Sequence, residues 1–327
     1  MEIELLNQNF ERTIGAFEDE LSSETAFIVA NTIPVTKLEI SNTHIIPVFV
    51  KDNEPLISHS DFIDATYEVA SQYFSNEVIL NPSIRVSHPI KGRTPNAKDK
   101  PAKDLLEEEK TLYYERMMFL VEIPSIRDSI NGNELSLTIG GVKAYSNDNL
   151  YNRKGSDEHF KIFIGFKNKV CTNLCVASDG IVIDLKVKNL SDLMRSIFKL
   201  FENFNAKNQI AQMQKFTNYS LTEQEFANMI GRARLYNYLP FSEKKLIPSL
   251  AFGDTQFGAI AKDYYQDRNF CKSPNHEINL WNVYNLFTGA NKTSYIDTFL
   301  NRSLNAYEFT TQLAESIENR SFNWFLN

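Results

Sequence analysis

Three cysteines, five histidines and a run of six cations are the residues of this 327-residue chain whose types and spacing could do chemistry. Cys171 and Cys175 stand four apart, which is not the two-residue spacer of a zinc knuckle, although with Cys271 and His276 they could be drawn as a Cys3His set. Small, odd cysteine numbers in apolar runs fit buried free thiols in a reducing compartment better, so no metal is expected. None of His44, His59, His88, His159 or His276 has a local partner that would mark it as a general base. There is no phosphate-binding GxxxxGK[ST], no GxGxxG, no GxSxG and no HExxH; His276-Glu277 continues as Ile278-Asn279-Leu280. The expectation leans to a protein that binds without catalysis and without a cofactor, while acid–base catalysis by dispersed carboxylates, whose pairing in space a sequence does not show, stays open.

The cations are the stronger signal. Residues 85–103 carry Arg85, Lys91, Arg93, Lys98, Lys100 and Lys103 against Asp99 alone, with Pro89, Pro95, Pro101 and Gly92 between them. That composition reads as a long irregular basic loop able to reach phosphate. The net charge of −7 is uneven: residues 1–84 hold fourteen acidic and three basic side chains, whereas 85–188 hold fourteen and seventeen.

The elements that must position these residues follow from periodicity. Segments 25–30 and 44–50 read as short strands, the second an edge strand because of Pro47. Residues 60–74 read as a helix capped by Ser60, and 102–110 as a helical turn or two. A strand over 112–123 ends at Pro124, Asn131-Gly132 marks a turn, and Leu135, Leu137 and Ile139 alternate with polar residues. Gly140-Gly141 suggests a bulge. Phe160, Ile162, Ile164 and Phe166 alternate with Lys161, Phe163, Gly165 and Lys167. Strands 170–177 and 181–188 read as a hairpin around Asp179-Gly180, with Ile181, Ile183, Leu185 and Val187 on one face.

Polar partners in that alternation predict an antiparallel sheet covered on one face only, by the helices that follow. The other face would then gather Lys161, Phe163, Lys167, Lys186 and Lys188 in water, a basic platform with one aromatic for stacking a base of single-stranded nucleic acid. From Asn189 the period is helical. Leu190, Leu193, Met194, Ile197, Phe198, Phe201 and Phe204 lie on one stripe, Thr222 and Glu225 form a capping box, and helices are expected over 243–251, 254–268, 279–288 and 294–319. The fold class is therefore α+β: an antiparallel sheet in the middle third and an all-helical C-terminal half. Residues 1–188 and 189–327 are expected to pack as one unit.

No apolar run approaches the ~20 residues of a membrane helix. Met1-Glu2-Ile3-Glu4 lacks the basic-then-apolar order of a signal peptide, so a cytoplasmic location is expected.

The runs IGGVKAYSNDNLY (139–151), FKIFIGFKNKVCTNLC (160–175), SDG (178–180) and WNVYNLFTGANK (281–292) are distinctive. In these the chain resembles, over nearly its whole length, a family of Bacteroidota proteins of unknown function. The VCTN segment is also similar to uncharacterised phage- and plasmid-encoded proteins. The resemblance implies mobile-element origin, hence DNA metabolism, element maintenance or interference with host defence, and supplies no catalytic residues. Two binding functions follow as expectations, beside an enzyme of unrecognised type as a third. One is binding of single- or double-stranded DNA by Arg85, Lys91, Arg93, Lys98, Lys100 and the sheet lysines. The other is engagement of a host or element-encoded protein through the helical half, where Tyr236-Asn-Tyr-Leu-Pro-Phe241 suits an interface or a core equally.

Overall fold

The computed structural model describes residues 26–43, 56–149 and 156–327. In chain order, β1 (Thr32–Val35), α1 (Lys37–Thr43), α2 (His59–Tyr73) and β2 (Ser83–Ser87) lead into a small hairpin, β3 (Ile90–Arg93) with β4 (Lys110–Tyr113). The long strands β5 (Arg116–Ile130) and β6 (Asn133–Ala144) follow, then α3 (Tyr145–Asn149), β7 (Glu158–Asn168), β8 (Leu174–Cys175) and β9 (Ile181–Val187). The remainder is α4 (Leu190–Asn203), α5 (Ala206–Lys215), β10 (Ser220–Thr222), α6 (Glu223–Tyr236), α7 (Phe241–Lys244), α8 (Asp254–Gln266), β11 (Glu277–Asn279), α9 (Leu280–Asn291) and α10 (Ile296–Glu318). It is a mixed architecture in which an antiparallel sheet ordered β1-β2-β5-β6-β7 packs with helices.

At the last of these strands the sheet forks. β8 pairs with one end of β7 (Phe166 with Cys175) and β9 with the other (Phe163 with Ile181). The two therefore share one edge instead of forming the expected hairpin, and Asp179-Gly180 lies in a 3-10 turn. The turn at Asn131-Gly132 does form as expected: φ is 51° and 79°, the two positive values that a two-residue hairpin loop demands. Pro124 does not end β5. Pairing with β6 skips from Ile123 to Arg127, so the residue without an N–H sits in an irregularity and the strand resumes beyond it.

One further expectation is corrected by packing on both sides of the sheet. Phe119, Val121, Leu137, Ile139, Phe160, Ile162 and Ile164 belong to the main core with Phe62 and Val69 of α2 and Leu193, Ile197 and Phe201 of α4. The opposite face is covered as well. Met118, Leu120, Val142 and Phe163 pack with Phe27, Ile28 and with Ile296, Phe299 and Leu300 at the start of α10. The pairing of β7 with β9 is irregular where Phe160–Leu185 gives way to Ile162–Val182, so Ile181 and Ile183 join the second face while Leu185 and Val187 join the first.

Several boundaries also move. Residues 26–30 are irregular, held by Val29 and Ala30 N–H groups donating to the Lys292 carbonyl, while Thr25 and the expected strand at 44–50 lie outside the described residues. Ser58, not Ser60, caps α2, its Oγ accepting from the Asp61 N–H while the Asp61 carboxylate accepts from the Ser58 N–H. The Thr222–Glu225 capping box of α6 is present. The C-terminal half contains one short pairing, β10 with β11, so it is not wholly helical. Trp281 Nε1 donates to Asn133 Oδ1 at 2.8 Å, tying that half to the β5–β6 turn.

Gly140-Gly141 makes no bulge, since β6 keeps regular register with both neighbours there. The pair serves close approach. A Cβ on Gly141 would stand 2.3 Å from Phe62 Cζ and 2.6 Å from the Lys161 carbonyl oxygen. Gly141→Ala should therefore cost about 1–3 kcal/mol through overpacking. Chemical denaturation would read this as a lower midpoint with unchanged slope; an unchanged midpoint would contradict the packing described.

Candidate functional site

The residues expected to share one basic surface are divided among three places. The face intended as a platform is closed: Phe163 is 1% exposed, beneath α10, so its ring is not available for stacking a base. Lys161 beside it is spent on the protein, its Nζ donating to the Asp297 carbonyl and to Asn301 Oδ1 at 2.5 Å. Burial lowers its pKa. Lys161 and Lys186 border one cleft together with His159 and Asp184, and Lys186 pairs with Asp184 at 3.3 Å. Lys188 is exposed just past β9.

The second place is the β3–β4 hairpin. Residues 85–103 are not one loop, because Arg85 belongs to β2 and Lys91 and Arg93 to β3. Lys91, Arg93 and Lys110 line a groove of about 760 Å³ with Glu107 and Leu112. The acidic turn 107–109 answers much of the charge: Lys100 pairs with Glu109 and Lys110 with Glu107, while Arg93 donates to the Lys100 carbonyl. Residues 90–113 carry six basic and five acidic side chains. Lys91, Lys98 and Lys103 are exposed and have no hydrogen bond or ion pair among the described residues.

The third place brings Arg85 and Lys167 together at the polar end of the outer face. Register explains it: Glu122 lies opposite Thr138 and Lys167 opposite Ser136, so these residues of β5, β6 and β7 point the same way. Arg85, Glu122, Thr138 and Lys167 line a pocket of about 320 Å³ whose walls include Phe27, Asn81 and Leu120. Glu122 receives Ser136 Oγ at 2.9 Å, Lys167 Nζ at 2.8 Å and Lys169 Nζ. Burial would raise the pKa of this carboxyl, but the lysine hydrogen bonds and the Lys167 charge outweigh it and hold the value at about 2. Glu122 and Lys169 have no signature in the sequence. Only the parity of strand positions, with the register known, would have found them.

A separate charge cluster sits under the first face. Lys143 Nζ is 2.8 Å from Glu158 Oε2 and 3.2 Å from Asp148 Oδ2, and lies 4.0 Å from the centre of the Phe160 ring. All three charged side chains are buried, so the cluster fixes α3 against β7 and is sealed from substrate. The cysteines read likewise: burial pushes the Cys171 thiol up to about 11, the opposite of an activated nucleophile.

In the helical half several large apolar side chains face outward. Tyr238, Phe241, Leu246 and Phe322 are each between 73% and 84% exposed, and Leu235 is exposed beside them in the sequence. Leu246 and Phe322 line one cleft with Pro248, Glu315 and Trp324. The segment is anchored from beneath, with Tyr236 buried against Phe325 at 5.9 Å between ring centres and Arg232 over the Trp324 ring. Among the described residues, no helix is long and apolar enough to cross a membrane.

The Glu122 cluster has a pH signature. Its folded pKa lies below the ordinary 4.5, so its contribution to stability is complete above pH 4.5 and is lost as pH falls toward about 2. Glu122→Gln should lower stability at neutral pH, by leaving two ammonium groups unanswered, and should flatten the acid limb of a plot of unfolding free energy against pH. Acid limbs of equal slope would contradict the assignment.

No curated protein and no solved structure matches the chain. The family model described as "Domain of unknown function, B. Theta Gene description (DUF3871)" matches residues 18–326, nearly its whole length, and the chain belongs to that family.

Proposed function

We propose that this chain works by binding a protein partner through the exposed apolar side chains of its helical half. The observation that carries the reading is the outward display of Tyr238, Phe241, Leu246 and Phe322 on an anchored scaffold. Apolar side chains gain free energy when removed from water, at about 25 cal/mol per Å². Monomers seldom leave several large ones together unless the patch is functional. Aromatic residues held by a rigid support also lose little conformational entropy on binding, which is why they anchor interfaces. The partner's complementary surface would be aliphatic or aromatic, and the mobile-element setting that the resemblance implies would make it a host or element-encoded protein.

A photo-crosslinking residue placed at position 241 or 246 tests this in the native cell. A discrete adduct is expected, absent when the crosslinker is placed at exposed Lys262 and lost on adding Tyr238→Asp and Phe322→Asp. An adduct of twice the chain mass would identify a second copy as the partner. Equal labelling at all positions, or none, removes the reading.

A second reading is nucleic-acid binding, and exposed Lys91, Lys98 and Lys103 on the hairpin favour it. Each phosphate contact would contribute roughly 0.7–0.9 to the slope of log K against log salt. Filter binding of single- and double-stranded DNA at two salt concentrations should then show a salt dependence that weakens in the triple Lys→Gln variant. Salt-independent retention, or none at micromolar protein, removes this reading and leaves the first untouched.

A further inference from the structure

Arg85 lies on β2, 9% exposed, with its guanidinium held by Thr32 alone: Nε donates to Thr32 Oγ1 and one Nη to the Thr32 carbonyl, both at 3.1 Å. Of five N–H donors, three have no protein acceptor among the described residues. No carboxylate pairs with it among them either, and a buried cation without a counter-charge is costly. The one carboxylate lining the adjoining pocket, Glu122, already takes two ammonium groups and a hydroxyl. Among the described residues, Arg85, Lys167 and Lys169 thus face a single anion, an excess of two positive charges at the site. Lys292 is also close enough for Lys167 to depress its pKa, although burial is the larger cause.

The pocket's shape narrows the ligand. About 320 Å³ admits a small metabolite, and Phe27, Leu80 and Leu120 give one side an apolar lining while Asn81, Ser83 and Thr138 supply polar groups. A planar guanidinium with free donors matches two oxygens of one acidic group better than a lone ammonium does. The wall carrying Ala26 and Phe27 is fixed by the Lys292 carbonyl and by Thr172 Oγ1, which donates to the Ala26 carbonyl. We propose that this pocket binds a small organic oxyanion, a carboxylate or a phosphate monoester, gripped by the free edge of Arg85 and by Lys167.

Calorimetric titration of the whole chain with inorganic phosphate and with malonate, at ionic strength held constant by chloride, tests the assignment. One of the two should bind saturably at one site with a dissociation constant of about 1 mM or tighter. Phosphate alone binding selects the phosphate source, and malonate alone selects the carboxylate. Arg85→Gln and Lys167→Gln should each weaken that binding by roughly tenfold or more, a difference that one charge-assisted contact readily supplies, while Lys262→Gln leaves it unchanged. Should Arg85→Gln fail to fold by circular dichroism, Lys167→Gln decides. Absence of saturable binding by either probe, or equal affinity in a folded pocket variant and the parent, overturns the proposal.

Discussion

The burial of β5, β6 and β7 on both faces is the constraint on which the rest of the molecule depends. A sheet with one wet face can place a lysine at every second position at no cost. Once α10 and the segment around Phe27 close the second face, each polar side chain along those strands needs a partner within the protein. Lys161 finds its acceptors at Asp297 and Asn301, more than 130 residues away in sequence. Glu122 finds Lys167 and Lys169, and Lys143 under the other face finds Asp148 and Glu158. These pairings help fix where the helices sit, because a shift of α10 along the sheet would strand the Lys161 ammonium.

That constraint also explains what was legible in the sequence and what was not. Local signals translated well, since a turn with two positive φ values, a Thr–Glu box or a strict alternation is decided by neighbours a few residues apart. Asn131-Gly132, the cap of α6 and the parity of β7 are such cases. The exposure of a face is decided elsewhere. Lys161, Phe163 and Lys167 alternating with Phe160, Ile162, Ile164 and Phe166 has the same pattern whether the lysines meet water or meet Asp297 and Glu122. The phenylalanine was the one discordant letter, an apolar residue on the supposedly wet side, and it belongs to the covering core. Likewise nothing within β9 announces the irregular pairing that sends Ile183 and Leu185 to opposite faces.

Candidate binding residues divide in the same way. Arg85 and Lys167 were singled out for their charge, and the structure brings them together, but through strand register and not through a flexible loop. The remaining cations disperse to the hairpin, the cleft beside His159 and the surface. In the Tyr236–Phe241 stretch, read as core or interface alike, the structure answers both ways within six residues: Tyr236 is buried and supports, while Tyr238 and Phe241 face outward. Helix α6 ends at Tyr236, and the turn at 237–239 before Pro240 redirects the side chains that follow, a change that composition does not reveal.

Two clusters in this chain use the same ingredients, ammonium groups against carboxylates, and access separates their roles. Around Lys143 one cation meets two carboxylates with every member sealed, so solvent and ligand are excluded and the gain is positional. Around Glu122 the ratio is inverted, with two ammonium groups on one carboxylate, both only partly buried, and Arg85 beside them without a counter-charge among the described residues. A sealed cluster exchanges nothing with solution, so its partners are fixed when the chain folds. A cluster that is positive among the described residues and lines a pocket can take its balance from a dissolved anion. The surplus charge therefore points to the rim of the sheet, where its own side chains stop covering it, as the place where this fold can hold a small ligand.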